Sequence, residues 1–424
     1  MAELFVTAYL AALYLQLGIK VPVLRPVLIL GIAVLVSGIA YLSAKDRPVI
    51  FDRHIRIMFL ILVFAGISTV GAFIQRDALD VWIKMANRFI YLFFLVNVID
   101  GVAKFRRLIA TMVVVHFALA LDGIRAFHTT VGRGAQEGLS GRLGGFLGDA
   151  NDFGLAINMF LPYAYFLLFA ARKTWVKVAL ATSIGVSAVA LMFTFSRGAF
   201  LTLAALVLYF VVKSPKRAVG LSVGAALALA ALLVMPPSYW ERIHTIGEGT
   251  PDGSVQGRLW AWEAGWKMAL DQPVLGMGPG NFRTGYGRFY KPEAAGDAGW
   301  EPNRWTAAHS SYFQAMGEMG FVGFGLLGFL VVYCWTSQSA IQKRLRDHDD
   351  LDDDGRFSLA MAHATQASLL AFLVGAAFLG AIYYPHLWLN AALTQVLVVT
   401  VAQPVTTRDA PRATLGLRVV PRGS

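Results

Sequence analysis

The sequence predicts an all-α polytopic membrane protein, and three observations carry that prediction. Hydrophobic residues make up 57% of the chain and charged residues only 15%. The mean hydropathy of +0.58 lies well above that of soluble domains. Several apolar runs reach or approach the roughly 20 residues that a helix needs to cross a bilayer. They are continuous, whereas a barrel would show short alternating strands.

Taken in order, the apolar runs place spans near residues 5–18, 27–44, 57–74, 85–100, 108–126, 153–171, 178–195, 199–213, 219–236, 311–336, 358–379 and 384–403. The first and eighth are short, so the count is about 12, give or take one span. This divides the chain into membrane helices over 1–236, a long loop over 237–308, further helices over 309–404 and a tail over 405–424. The terminal Val420-Pro421-Arg422-Gly423-Ser424 resembles the scar of a protease site on an expression tag. The first apolar run lacks a basic n-region and a small-residue cleavage site, so no cleavable signal peptide is expected.

A formal charge of +11 raises the question of nucleic acid. Its placement answers against it, because many of the cations sit in short loops between apolar runs. With a cytoplasmic N-terminus, every second loop should be basic under the positive-inside rule. Those loops hold Lys45, Arg47, Arg53 and Arg56, then Lys104, Arg106 and Arg107, then Arg172, Lys173 and Lys177, then Lys213, Lys216 and Arg217, then Lys343, Arg344, Arg346 and Arg356. Both termini are therefore expected to be cytoplasmic, with loops 127–152 and 237–308 on the opposite side. The acidic run Asp347 to Gly355 imitates part of a calcium loop, but Met361 stands where the glutamate is required, and it reads as a solvated linker. Cys334 is the only cysteine, so no intramolecular disulfide can form.

The loop 237–308 is too long for a mere connector. It carries Trp240, Trp260, Trp262, Trp266, Trp300 and Trp305, as expected of a segment resting at the membrane interface, where tryptophan also serves as a simple anchor. Val255, Leu259, Trp262 and Trp266 recur at helical spacing and predict an amphipathic helix from Val255 to Leu270, capped by Asp252 or Ser254. Arg258 falls in its first turn, where backbone N–H groups also attract anions.

Three cations on the non-cytoplasmic side can carry chemistry. Arg197 lies between two spans with no room for a real loop, where desolvation makes a charge costly without an anionic partner; a snorkelling arginine is the plain alternative. Arg258 could equally be a surface arginine. His309 opens the run His309-Ser310-Ser311-Tyr312 where a polar loop meets an apolar helix, a position suited to proton chemistry or equally to a satisfied interfacial histidine. Glu318 lies about two and a half turns further on, facing away from His309, and is expected to pair with an arginine in the bundle. Gly276-Met277-Gly278-Pro279-Gly280-Asn281 lacks the pattern of a dinucleotide site, and the glycines from Gly276 to Gly287 suggest a hinge. No phosphate loop or zinc spacing occurs; Asp149-Ala150-Asn151-Asp152 is a weak metal candidate, so neither cofactor nor metal is expected.

These residues resemble the O-antigen ligase and polymerase superfamily of bacterial membrane glycosyltransferases, most nearly the ligases. His309, Ser310, Gly320 and Gly323 match the ligase pattern of His, a small polar residue, nine residues, Gly, two residues and Gly. Ser196-Arg197-Gly198, Arg258 with Trp262, and Pro273-Val274-Leu275-Gly276-Met277-Gly278 are similar to further family segments, and Asn151 resembles an asparagine at the start of an earlier span. The resemblance covers residues 149–335.

It implies a GT-C-like fold in the bacterial inner membrane, a periplasmic active site, and metal-independent, inverting transfer of a glycan from undecaprenyl diphosphate. Under it, His309 is the catalytic base, Arg197 and Arg258 bind the donor diphosphate, and Asp149, Asn151, Trp262 and Ser310 line the site. The implied partners are the lipid-linked glycan donor, membrane lipids, and either lipid A core as a ligase acceptor or another glycan chain as a polymerase acceptor. A flippase or transporter of lipid-linked sugars is the alternative from another class. Transporters place charged groups near the midplane in broken helices, whereas these candidates gather toward one face.

Overall fold

The computed structural model describes residues 1–21, 26–44, 49–128, 147–213, 217–218, 221–222, 224, 253–292, 306–347 and 351–402. No strand occurs among them. The α-helices in chain order are α1 (Ala2–Tyr14), α2 (Leu17–Lys20), α3 (Pro26–Ser43), α4 (Arg53–Val70), α5 (Gln75–Val98), α6 (Val102–His128), α7 (Ala150–Ala170), α8 (Thr174–Met192), α9 (Arg197–Lys213), α10 (Gly253–Asp271), α11 (Phe282–Gly285), which runs on into a π-helix (Tyr286–Tyr290), α12 (Ser311–Arg346), α13 (Asp353–Gly375) and α14 (Pro385–Ala402). Seven of these are long and apolar enough to cross a membrane, and Ala2–Tyr14, Val27–Ser43 and Pro385–Val401 are shorter apolar helices. The protein is an all-α polytopic membrane protein, as the sequence predicts.

The ninth span near 219–236 falls largely outside the described residues, as do Lys45, Arg47, Lys216, Trp240, Asp252, Trp300, Trp305 and the tail from 403 with its tag scar. Elsewhere the apolar runs find the helices but misplace some ends. α5 starts at Gln75 rather than near 85. Its first turns carry Arg76, Asp77 and Asp80 outward while Ala78 and Met85 face the core, so no continuous apolar run marks them. α1 stops at Tyr14, because Gln16 adopts a left-handed φ of 56°.

Burial ranks the helices. The apolar windows of α7 and α13 are 78% and 72% buried, against 44% for α4, α5 and α6, so α7 and α13 form the centre of the bundle. α13 packs on α7, α9, α12 and α14. On the periphery, α3 presents Leu28, Ile29, Ile32, Val36 and Ile39 outward. Such an apolar outer face is stable only where lipid replaces water.

At one end of the bundle, three of the basic loops meet. Asp353 accepts Arg172 at 2.8 Å and Arg356 at 2.5 Å, and Arg106 reaches Asp354 at 2.8 Å. Asp352 caps α13 by accepting the Gly355 N–H at 2.7 Å. The described part of the acidic run, exposed at Asp352, Asp353 and Asp354, also serves as a cap and ion-pair hub; residues 348–350 lie outside the described set. Charge balance among basic loops explains why acidic residues sit there.

α12 is a single span in sequence but not in backbone. Gly320 has φ 63° and ψ −173°, which breaks the helix between Met319 and Phe321. A break strands carbonyl and N–H groups that must find partners away from water. The Pro273 to Gly280 stretch supplies them: Met277 N–H donates to Gly317 O at 2.9 Å, Gly278 N–H to Glu318 O at 3.0 Å, and Phe321 N–H to Pro273 O at 2.8 Å. Gly276, Gly278 and Gly280 all hold positive φ, at 67°, 96° and 76°. The stretch is also tied to the α4–α5 corner, through Ser68 Oγ to Leu275 O at 2.7 Å and Phe73 N–H to Met277 O at 3.1 Å. These ties make it a clamp on the broken helix.

Candidate functional site

The site is assembled at the end of the bundle opposite the ion-pair hub, where α7, α9, α10 and α12 begin. Asp149 is the N-cap of α7, its Oδ1 accepting the Asn151 N–H at 2.7 Å. The same oxygen accepts the Asn151 side-chain amide at 2.8 Å. The Asn151 Oδ1 in turn accepts the Ser196 hydroxyl at 2.6 Å, and Ser196 Oγ caps α9 by accepting the Ala199 N–H at 3.0 Å. Arg197 is the first residue of α9 and follows directly from this chain of bonds.

α7 and α9 meet closely for a sequence reason. Asn151, Gly154 and Asn158 lie on one stripe of α7 at helical spacing. A Cβ on Gly154 would come within 2.5 Å of Ala199 Cβ, and Asn158 Nδ2 donates to Ala199 O at 2.9 Å. Small and amide side chains are the usual means of close helix contact in a membrane.

α10 runs Gly253–Asp271 and packs on α12. The expected stripe differs from the one that packs. Ala261, Ala264 and Met268 are buried, whereas Leu259 and Trp266 are 48% and 46% exposed. Close approach explains the choice of face, since a Cβ on Gly265 would lie 2.9 Å from Phe313 O, leaving room only for small residues. Trp262 stacks on Phe313, with ring centroids 5.4 Å apart. Arg258 lies one turn before Trp262 on the same face, so the stack aims it at the start of α12.

His309 stands there with φ 46°, a left-handed conformation. The adjacent residues hold it in place. Ser311 N–H donates to Ala376 O at 2.7 Å, Ser311 Oγ donates to Leu379 O at 2.8 Å, and that hydroxyl accepts the Ala381 N–H at 2.8 Å. Ser310 is 1% exposed and uses its carbonyl to accept Gln314 N–H, so the tethering hydroxyl is that of Ser311. Phe195, just before Ser196 and Arg197, is also left-handed, with φ 50°. Non-glycine residues in this region cost energy and concentrate at functional sites. Of the three such residues among the described ones, one is His309 itself and another is Phe195, two residues before Arg197.

Partial burial lowers the His309 pKa from its ordinary value, and the Arg258 charge lowers it further, Asp149 acts to raise it, and Arg283 lowers it. These four residues therefore share one electrostatic environment although they come from four segments of the chain. Arg283 is the member that sequence reasoning missed. It is exposed on α11 between buried Phe282 and Thr284.

Glu318 sets that position. Its carboxylate accepts the Gly280 N–H at 2.9 Å and the Phe282 N–H at 3.1 Å, and Tyr383 and Gln314 face it. The expected pairing with an arginine is thus replaced by backbone donors, because the clamp brings unpaired N–H groups to the helix break. Arg88 donates instead to Tyr383 O. Asp152 is buried and takes the Tyr384 hydroxyl at 3.3 Å. Among the described residues, no group of three or more His, Cys, Asp or Glu is placed to hold a metal ion.

Arg197, Arg258, Arg283, His309, Glu318, Gly320 and Gly323 all fall within one region of similarity to known proteins. Residues 179–328 match the O-Antigen ligase family model. The match bears out the resemblance to the O-antigen ligase and polymerase superfamily over those residues, and the apolar helices agree with a multi-pass membrane protein. Asp149 and Asn151 lie before the matched region and reach it through Ser196. No curated protein matches the chain significantly.

Proposed function

We propose that the protein transfers a glycan en bloc from undecaprenyl diphosphate to the lipid A core, as an inverting, metal-independent O-antigen ligase working at the periplasmic face of the inner membrane. The observation that carries this reading is the convergence on one end of the bundle of a histidine, arginines from separate helices and the Asp149–Asn151–Ser196 bridge. The acceptor hydroxyl oxygen attacks the anomeric carbon, the bond from that carbon to the diphosphate oxygen breaks, and undecaprenyl diphosphate leaves as the anion. Its charge must be neutralised as it develops, and guanidinium groups do this bidentately. Arg197 and Arg258 are assigned that role. The hydroxyl proton passes to neutral His309, a suitable general base near neutral pH. Asp149 supports the cation that forms, since its charge favours protonated His309.

The ligase reading is preferred to the polymerase because His309, Ser310, Gly320 and Gly323 follow the ligase pattern. Transport is disfavoured because the broken helix at Gly320 spends its freed groups on the Pro273 to Gly280 clamp, leaving them unavailable to a cargo. The test uses purified protein in lipid, an undecaprenyl-diphosphate glycan and lipid A core, with EDTA present. Capped lipid A core is expected. Elongated lipid-linked glycan without capping would instead make the protein a polymerase, and movement of the lipid across the bilayer with its sugar unchanged would make it a transporter.

A further inference from the structure

The side chain of Asn151 does something that neither helix it touches requires. α7 is already capped, because Asp149 accepts the Asn151 backbone N–H at 2.7 Å. α9 is already capped, because Ser196 accepts the Ala199 N–H at 3.0 Å. The Asn151 amide uses its remaining capacity to join the two caps, donating to Asp149 at 2.8 Å and accepting from Ser196 at 2.6 Å. No other residue type of this size offers a donor and an acceptor on one planar group. The preceding Phe195 is held left-handed at φ 50°, so the chain enters Ser196 from a constrained direction. Gly198, just after Arg197, has no room to shift, since a Cβ there would meet Phe378 Cβ at 3.1 Å. Arg197 is thus fixed from both sides; the Asn158 bond to Ala199 O holds α9 to α7 further along, and the Asn151 bridge ties the residue just before Arg197 to α7.

We propose that Asn151 is a positioning residue for Arg197: its side-chain amide locks the start of α9 to the capped start of α7 and so sets where the Arg197 guanidinium meets the donor diphosphate. This rests on the donor-binding role given to Arg197 above. Asn151 acts through Arg197 and does not itself contact the phosphates.

The test is a double-mutant cycle read by binding of undecaprenyl diphosphate to the full chain in detergent, together with donor KM and kcat. Asn151→Ala keeps both caps, because the Asp149 bond to the residue 151 backbone survives, so the variant is expected to fold, which its thermal melt checks. Misplacing a binding group by about 1 Å can cost up to roughly 100-fold, so Asn151→Ala is expected to weaken undecaprenyl diphosphate binding about tenfold and raise donor KM, with acceptor KM unchanged. In an Arg197→Ala background, the same change is expected to cost no more than about twofold, the margin within which independent sites add. An equal loss from Asn151→Ala in both backgrounds, or no loss in the single variant, overturns the positioning role while leaving the donor reading intact. Wild-type binding by Arg197→Ala alone would instead remove the donor reading, and the proposal with it.

Discussion

Gly276 lies against Glu318 so closely that a Cβ added to it would meet the Glu318 carbonyl carbon at 2.4 Å. The contact is backbone on backbone, so no side-chain rotation can relieve it, and its φ of 67° adds strain for any other residue. Gly276→Ala is therefore expected to destabilise the protein by about 3–5 kcal/mol, at the top of the range for single substitutions. Gly325 is the control. It lies in the same broken helix, α12, with nothing within 4 Å of an added Cβ, and Gly325→Ala should be neutral or stabilising by up to about 1 kcal/mol. Parallel thermal melts in detergent decide it, and equal melting temperatures for the two variants would contradict the clamp.

Glu318→Gln tests what holds the clamp near the site. The two carboxylate oxygens accept one N–H each, from Gly280 and Phe282. An amide at that position offers one oxygen and turns an NH2 group toward the second donor. A buried donor left without an acceptor costs about 1–3 kcal/mol. A lower melting temperature is expected, together with reduced turnover as Phe282 and Arg283 lose their anchor. A variant as stable as the parent would mean that the carboxylate is not needed as a double acceptor.

The bundle was legible because apolar runs dictate helices in lipid almost regardless of detail; Arg197 and His309 stand out because charges at the ends of apolar runs need a reason, and Arg258 because it opens an amphipathic helix in a long loop. What was hidden depends on backbone groups and on contacts distant in sequence. Gly320 reads as a motif glycine, and only the structure reveals that it breaks α12 to receive Pro273 to Gly280. Glu318 reads as an arginine partner because a sequence displays charged side chains and not unpaired N–H groups. Arg283 has no distinguishing spacing, being one arginine in a loop, although its place shortly after the glycine stretch was a usable signal. Leu259 and Trp266 misled about the packed face of α10, since large apolar residues suit the membrane interface as well as a core, while close helix contact selects Ala261, Ala264 and Gly265.

Replacement of His309 should respect its backbone. At φ 46°, histidine and asparagine are both several-fold favoured over alanine, which would therefore add backbone strain of up to about 1 kcal/mol. His309→Asn is therefore the variant that isolates the chemistry. It should melt like the parent and lose about 100- to 10,000-fold in turnover, the usual contribution of a general base. His309→Ala should lose turnover and also melt earlier. Retained turnover in His309→Asn would remove the general-base role.

The charges around His309 give the pH dependence a sign. The base must be neutral to accept a proton, so turnover falls as pH drops through its pKa. Burial, Arg258 and Arg283 hold that pKa below the ordinary value of about 6.5, and Asp149 opposes them. The acidic limb of kcat/KM should accordingly lie below about pH 6.5. Removing a nearby positive charge favours protonated histidine, so Arg283→Gln should move the limb to higher pH. Removing the negative charge does the reverse, so Asp149→Asn should move it lower. Arg283 is the better probe than Arg258, whose loss would also impair donor binding under the proposed mechanism. A pH series of kcat/KM on the two variants checks both signs. Shifts in the same direction would exclude electrostatic coupling as their cause and detach Asp149 and Arg283 from the reacting histidine.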